Sequence, residues 1–550
     1  MKYFLLIILL ANIFLFNNCS STSPVPTVDK RIDSIFSEYN LHTPGCAMAI
    51  VQHGKLIYKK GYGLANMEYD IPITTTSIFD IASVSKQFTG LAISTLIQEG
   101  KIALDDDIRK YLPEVPDFGH VITIKHLLHH TSGLRDWPST LNIAGWRWDE
   151  TFSFADIIRM VKQQKDLDFL PGDRHSYSNT GYNLLALIVE KVSGASFRSW
   201  TQEHIFSPLK MSSSSFQDDP SRVIKNMVYS YTPRESGYTK NPNALTALGS
   251  SSLYTSVHDL ILWVNHFNEQ LKSKNPVYVN MLNDGILNNK DSVHYGYGLG
   301  LGKQGKYRIV SHTGGWAGYR TIITNFPEEE LSIIVLGNRA DFNPNAVANR
   351  IVEIMLPEFK SPSQPVDTLQ HTPTIILDTV LAKKYAGLYK LGEHWFVKLT
   401  LENGQLMTQA NGESKFPMLP KSTKGFWIEA YGSSMHFIAN ADGSVDSLIY
   451  RNYRAPRVTP TTASTLPLSE YIGTYNSEEL STSYKLDLKD KVLWLHHFRL
   501  GDMMLSPDPI TSGQFSTDIG QVEFDQDNGK ITGLRVSGGR IKNIRFTKTK

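Results

Sequence analysis

Ser83 and Lys86 stand three residues apart in the stretch Ile81-Ala82-Ser83-Val84-Ser85-Lys86-Gln87-Phe88-Thr89-Gly90. On a helix that spacing puts a hydroxyl and an amine on one face. A serine hydroxyl is a weak nucleophile until a neighbour takes its proton, and an amine can do so once burial lowers its pKa. A helix N-terminus adds positive potential, which favours the oxyanions of acyl transfer. Phe88, Leu91, Ala92 and Leu96 carry the apolar period onward, and Gly100 is placed to stop the helix after Glu99. The stretch therefore reads as the start of a buried helix with a nucleophile in its first turn.

Two further motifs follow in order. Tyr177-Ser178-Asn179 offers a phenol whose pKa of about 10 falls beside cations, and an amide that can both donate and accept hydrogen bonds. His312-Thr313-Gly314-Gly315 closes an apolar strand pattern, where glycines let a substrate approach the backbone. Supporting stretches are Ser77-Ile78-Phe79-Asp80, Leu104-Asp105-Asp106 and Leu127-Leu128-His129-His130-Thr131-Ser132-Gly133-Leu134.

Taken together, residues 30–357 resemble the serine β-lactamase and penicillin-binding-protein superfamily. The branch is that of class C β-lactamases, DD-carboxypeptidases, D-aminopeptidases and related esterases. The resemblance implies catalytic Ser83, Lys86 and Tyr177, with the last two a coupled pair. It implies an oxyanion hole from the backbone N–H groups of Ser83 and Gly315, and substrate contacts from Asn179, His312, Thr313 and Gly314. No metal or organic cofactor is implied. Many β-lactamases carry lysine where His312 stands, and a histidine is only partly charged near neutral pH. Peptidase and esterase activities therefore stay open beside β-lactam hydrolysis. Tyr177-Ser178-Asn179 replaces the Ser-Asp-Asn of class A-type enzymes, and no Gly-x-Ser-x-Gly elbow surrounds Ser83. Arg320, on the next strand, is placed to supply carboxylate binding, with a surface strand residue as the more ordinary reading.

The remaining sequence must position these groups. A chain of 550 residues exceeds what one core serves, so about two to four domains are expected. Hydrophobic content of 41% and charged content of 20% fit a soluble globular protein. A net charge of +2 without long basic runs gives no reason to expect a nucleic-acid partner. Residues 1–18 read as a signal peptide, with Lys2 before an apolar run too short to span a bilayer comfortably. Cys19 follows, preceded by Asn17 and Asn18 rather than small residues, and resembles the lipidated cysteine of a bacterial lipoprotein. The expectation is an exported, membrane-anchored protein, periplasmic or at the cell surface. Cys46, the other cysteine, reads as a buried free thiol.

After a tether over 19–28, an amphipathic helix is expected over 29–39, then strands over 46–52 and 55–60 joined at His53-Gly54. Helices are expected over 152–164, 184–192 and 346–355, with a capping box at Ser256 opening another through Phe267. Strands are expected over 307–313, 319–325 and 331–337, with turns at Gly314-Gly315 and Pro327-Glu328. His126, His129 and His130 share helical spacing and read as packing and capping residues rather than metal ligands. The fold class is α+β: an antiparallel sheet flanked by helices, with an inserted helical block, over 29–357. A linker over 358–380 leads to two repeats, 381–459 and 467–550, opening with Tyr385-Ala386-Gly387-Leu388-Tyr389 and Tyr471-Ile472-Gly473-Thr474-Tyr475. They read as two small antiparallel barrels or two halves of one, resembling lipocalin-like appendages.

The combined expectation is a serine hydrolase working through an acyl-enzyme on D-residue peptides or amides. Carboxylic esters or β-lactams on the same scaffold are the alternatives. A non-catalytic module binding peptidoglycan fragments or lipids is the rival from another class.

Overall fold

The computed structural model describes residues 27–361, 368–392, 395–410, 414–440, 442–451, 453–460 and 466–549. The expected signal peptide, most of the tether, and Cys19 lie outside the described residues.

Six strands form one antiparallel sheet in the order Gly300–Gln304, Tyr307–Trp316, Tyr319–Phe326, Leu331–Gly337, Cys46–Gln52, Lys55–Tyr62. The period-2 alternation of Cys46–Gln52 divides its side chains between two cores. Cys46, Met48 and Ile50 pack with Ile32 and Ile35 of the helix Val28–Ile35 and with Ile351 of Pro344–Met355. Ala47, Ala49 and Val51 pack on the other face with Phe88 of Lys86–Gln98 and Leu260 and Val264 of Val257–Lys272. Lys55–Tyr62 is an edge strand, and Lys55, Lys59 and Lys60 keep it in water. His53 and Gly54 both take left-handed φ, 50° and 71°, as a two-residue hairpin requires. Cys46 is a buried free thiol.

A block of helices is inserted between the first two strands and the rest. Its centre is Asn179–Ser193, which buries Tyr182, Leu184, Leu185, Ile188 and Val189 and ends at Gly194 with φ 73°. This helix starts five residues before the apolar run that reveals it in the sequence, so Asn179 is its first residue. Ser83 sits in a single 3-10 turn, Ala82–Ser85, and the α-helix begins at Lys86.

One expected turn is a strand instead. Gly314 and Gly315 lie inside Tyr307–Trp316, paired with Thr321 and Arg320, and the chain reverses at Ala317-Gly318. A Cβ on Gly314 would sit 2.2 Å from the Ile81 carbonyl oxygen and 2.3 Å from Thr321 Oγ1. The glycine is there for that close approach, not for a bend.

The C-terminal region forms two antiparallel sheets of nine strands with the same strand order. In each, the two outermost strands are consecutive in the chain, so the sheet curls into a near-closed barrel around its own core. The internal repeat is visible atom by atom. Tyr389 donates its hydroxyl hydrogen to the Tyr385 carbonyl at 2.9 Å, and Tyr475 does the same to Tyr471 at 2.7 Å. The second barrel packs on the helical block: Ile143 enters its core, and Tyr484 donates to the Ile143 carbonyl.

Candidate active site

The turn carrying Ser83 is held in an uncommon backbone shape. Ala82 has φ 48°, and the buried Asp80 carboxylate accepts its N–H at 2.8 Å. Asp80 also accepts from Asn243 Nδ2 at 3.0 Å, and Asn243 Oδ1 accepts from Trp316 Nε1 at 2.9 Å. The Ser83 turn is thereby tied to the strand across the cleft. Burial pushes the Asp80 carboxyl up to about 6.

Lys86 is fully buried. Its Nζ lies 2.8 Å from Asn179 Oδ1, 2.7 Å from the Ser250 carbonyl oxygen and 3.1 Å from Ser83 Oγ. Burial drives its pKa well below 10.5, Arg540 pushes the same way, and Asp136 opposes. A neutral amine has two N–H donors and one lone pair. Asn179 and Ser250 offer only acceptors, so they take the two hydrogens, and the lone pair is left for the Ser83 O–H.

Tyr177 joins these two. Its hydroxyl oxygen is buried, faces Ser83, and makes no well-formed hydrogen bond among the described residues. Its ring lies 4.8 Å from Lys86 Nζ, and the His130 ring packs on it at 4.2 Å between centroids. Sequence reading let nearby cations favour phenolate. Burial outweighs the pull of Ser83 and Arg540 and raises the pKa, so the phenol keeps its proton at neutral pH.

Asn179 is fixed by a carboxylate that sequence reading missed. Asp136 Oδ1 accepts from Asn179 N at 2.7 Å and from Nδ2 at 3.1 Å, at a helix N-terminus where a negative charge is favoured. Asp136 stands just before Trp137-Pro138, a recognisable helix-start pattern, yet its side chain caps a different helix. Ser250 carried no comparable signal.

His312 departs from the sequence picture. Its Nδ1 lies 2.7 Å from the Thr313 carbonyl oxygen, so Nδ1–H donates, and Nε2 accepts from the Tyr295 hydroxyl at 2.8 Å. Burial, then Lys86, push its pKa down to about 3. This imidazole is neutral at every physiological pH and both its nitrogens are bonded to protein. It holds the strand and offers no charge to a substrate. His126 and His129 likewise have structural partners: the Thr123 N–H donates to His126 Nδ1, and His129 Nδ1 meets the Tyr295 carbonyl.

The strand edge beyond His312 is open. Pairing with Gly300–Gln304 ends at Ser311, so Thr313, Gly314 and Gly315 are paired on one side among the described residues. Ser83, Tyr177, Asn179, Ser250 and Gly315 line one cavity of about 210 Å³, walled by Trp137, Trp148 and Trp316. A second cleft of about 490 Å³ shares Trp148, Gly315 and Trp316 and extends to Arg320. Arg540, from the last hairpin of the second barrel, also lines the Ser83 cavity.

A relative in Bacillus subtilis, penicillin-binding protein 4*, is 28% identical over 423 residues, covering 72% of this chain and 91% of that protein. A D-aminopeptidase of Gluconobacter oxydans is 27% identical over 343 residues, 62% of this chain and 63% of its own length. Among solved structures, an octameric penicillin-binding protein homologue from Pyrococcus abyssi superposes with a TM-score of 0.56 at 25% identity, over 78% of this chain and 98% of that one. Residues 32–354 match the Beta-lactamase family, and the chain belongs to that family, a serine hydrolase of the β-lactamase and penicillin-binding-protein superfamily.

Proposed function

We propose that this enzyme hydrolyses peptides or amides of D-residues through an acyl-enzyme on Ser83. Ser83 Oγ attacks the carbonyl carbon as Lys86 Nζ takes its proton. The oxyanion is held by the backbone N–H groups of Ser83 and Gly315, the two sides of the cavity. Tyr177 passes its hydroxyl proton to the leaving nitrogen as the C–N bond breaks, and Lys86 returns a proton to Tyr177. Water then attacks the ester, with the same groups in reverse, and releases the acid. Asn179 holds Lys86, and the open edge at Thr313-Gly314 receives an extended substrate as an added strand.

The observation that carries the reading is Lys86: fully buried, with Asn179 and Ser250 occupying its two hydrogens and Ser83 at its third position. A binding module gains nothing from burying an amine beside a serine, and a strongly shifted group in a cleft points to a functional site. The D-aminopeptidase relative supports the substrate class. The same reading has the enzyme exported and held at a membrane through lipid on Cys19.

The test is labelling with a fluorophosphonate, followed by a screen of D-aminoacyl amides, acyl-D-alanyl-D-alanine, short esters and nitrocefin. Labelling that disappears in Ser83→Ala, with D-isomers preferred over L, supports the proposal. An unlabelled wild-type protein, or turnover of esters alone, overturns it.

A further inference from the structure

The cavity around Ser83 poses a charge problem. Lys86 is buried with its three positions taken by Asn179, Ser250 and Ser83, and His312 is neutral and bonded on both nitrogens. Arg320 lines the adjoining cleft, but its Nη1 donates to the carbonyls of Ala317 and Tyr319. Among the described residues that line the Ser83 cavity itself, none from the hydrolase fold is a cation.

The second barrel presents one. Its hairpin between Lys530–Gly538 and Ile541–Lys548 seats against the helix Trp137–Ile143. Gly539 has φ 59°, and a Cβ there would lie 2.4 Å from Ser139 Oγ. The next residue, Arg540, donates its own N–H to that oxygen at 3.3 Å. The backbone is thus fixed and the guanidinium is delivered into the cavity. Its carbon lies 4.9 Å from the centroid of the Tyr177 ring, and its Nη1 donates to Asp136 Oδ2 at 2.8 Å. A guanidinium has five N–H donors, so four remain for other acceptors. The side chain is 49% exposed, consistent with a group that meets ligand.

Resting on the hydrolase reading above, we infer that Arg540 is a specificity residue: the barrel supplies the cation that binds a substrate carboxylate next to the scissile carbonyl. Asp136 accepts two hydrogen bonds from Asn179 in any case, so a carboxylate arriving at Arg540 shares the guanidinium and leaves Asn179 in place. The fork of a guanidinium suits a planar carboxylate and binds it with charge-assisted hydrogen bonds.

Competition for Ser83 tests this without requiring turnover. Acetyl-D-alanyl-D-alanine and its C-terminal amide are each used to slow fluorophosphonate labelling. The wild-type enzyme is expected to bind the acid at least about 10-fold more tightly than the amide, and Arg540→Gln to erase that preference, a loss of about 10- to 100-fold for a charge-assisted contact. Arg540→Lys keeps the charge without the fork and is expected to fall between. The unblocked labelling rate of each variant reports that the cleft is intact. A wild-type enzyme with no preference for the acid, or a preference that survives Arg540→Gln, overturns the inference. Carboxylate preference with turnover of esters alone in the substrate screen overturns the D-peptide reading and leaves Arg540 standing. Failure of the wild type to label at all overturns both.

Discussion

One buried cation bridges the second barrel and the helical block, and its removal makes a sharp prediction. Arg135 is 1% exposed. Its Nη1 donates to Asp168 Oδ1 and its Nε to Glu479 Oε1, each at 2.6 Å, and Nη1 also meets the Lys542 carbonyl. Asp168 and Arg135 belong to the helical block, Glu479 and Lys542 to the barrel. Arg135→Met leaves two carboxylates, 2% and 6% exposed, with no cation between them. Breaking a buried pair in this way costs about 3–5 kcal/mol. At about 1.4 kcal/mol per tenfold, that raises the open population of the interface by about 10²-fold to more than 10³-fold. Hydrogen exchange reads this directly, because the Lys542 N–H donates to Asp168 Oδ1 at 2.9 Å across the seam. Its protection is expected to drop by that factor in Arg135→Met, while the barrel's internal amides stay protected. Adding Asp168→Asn and Glu479→Gln removes the stranded charges and is expected to restore most of the protection. Protection within threefold of wild type in the single variant would refute the reasoning. So would a triple variant no better than the single one.

The pH dependence of the same seam follows. Burial pushes Asp168 up to about 6 against the pull of Arg135, and burial raises Glu479 too. For Asp168, which starts from 3.8, the docked state binds the proton more tightly. Its contribution is fully present below about pH 4 and is lost as pH rises through about 6. Protection of Lys542, corrected for intrinsic exchange, is expected to fall over that window, and Asp168→Asn to flatten it. Hydrolysis of a neutral ester is expected to rise with pH as Lys86 loses its proton, with a midpoint well below 10.5. No inflection from His312 is expected between pH 5 and 8, because its pKa is about 3. An inflection near 6.5 that vanishes in His312→Asn would contradict this. Gly314→Ala forces a Cβ to within 2.2 Å of the Ile81 carbonyl. It is expected to lower stability by about 1–3 kcal/mol and to slow fluorophosphonate labelling about tenfold or more, read by thermal melting and labelling rate. Cys19→Ala is expected to move the protein from the membrane pellet to the soluble fraction.

What the sequence made legible was what is local. Ser83 and Lys86 are one helical turn apart, so their meeting needs no tertiary information. The hairpin at His53-Gly54, the Ser256 cap and the Tyr-x-Gly-x-Tyr repeat are likewise written in a few adjacent residues. Gly314-Gly315 misled for the same reason: a glycine pair is a turn signal locally, and only the Ile81 carbonyl pressing on the strand explains it otherwise. His312 looked like a switchable charge because its burial depends on Tyr295, seventeen residues earlier. Asp136 and Arg540 stand 404 residues apart, and nothing in either neighbourhood points to the other.

The missed residues share a logic. Arg135, Asp136 and Trp137 are consecutive, and each points a different way: Arg135 to Glu479 of the barrel, Asp136 to Asn179 and Arg540, Trp137 to the cavity wall. The segment cannot shift as three independent pieces, because Thr180 Oγ1 donates to the Arg135 carbonyl at 2.7 Å and accepts from the Trp137 N–H at 2.9 Å. Thr180 follows Asn179, which holds Lys86. Barrel docking and the alignment of Lys86 therefore act on one short stretch of backbone. Loss of the barrel should be felt twice, once as a missing guanidinium and once as a loosened Asn179. Arg540→Gln removes only the first. The comparison separates them: if Arg135→Met slows labelling of Ser83 by the neutral fluorophosphonate and Arg540→Gln does not, the docked barrel tunes the nucleophile through backbone rather than through charge.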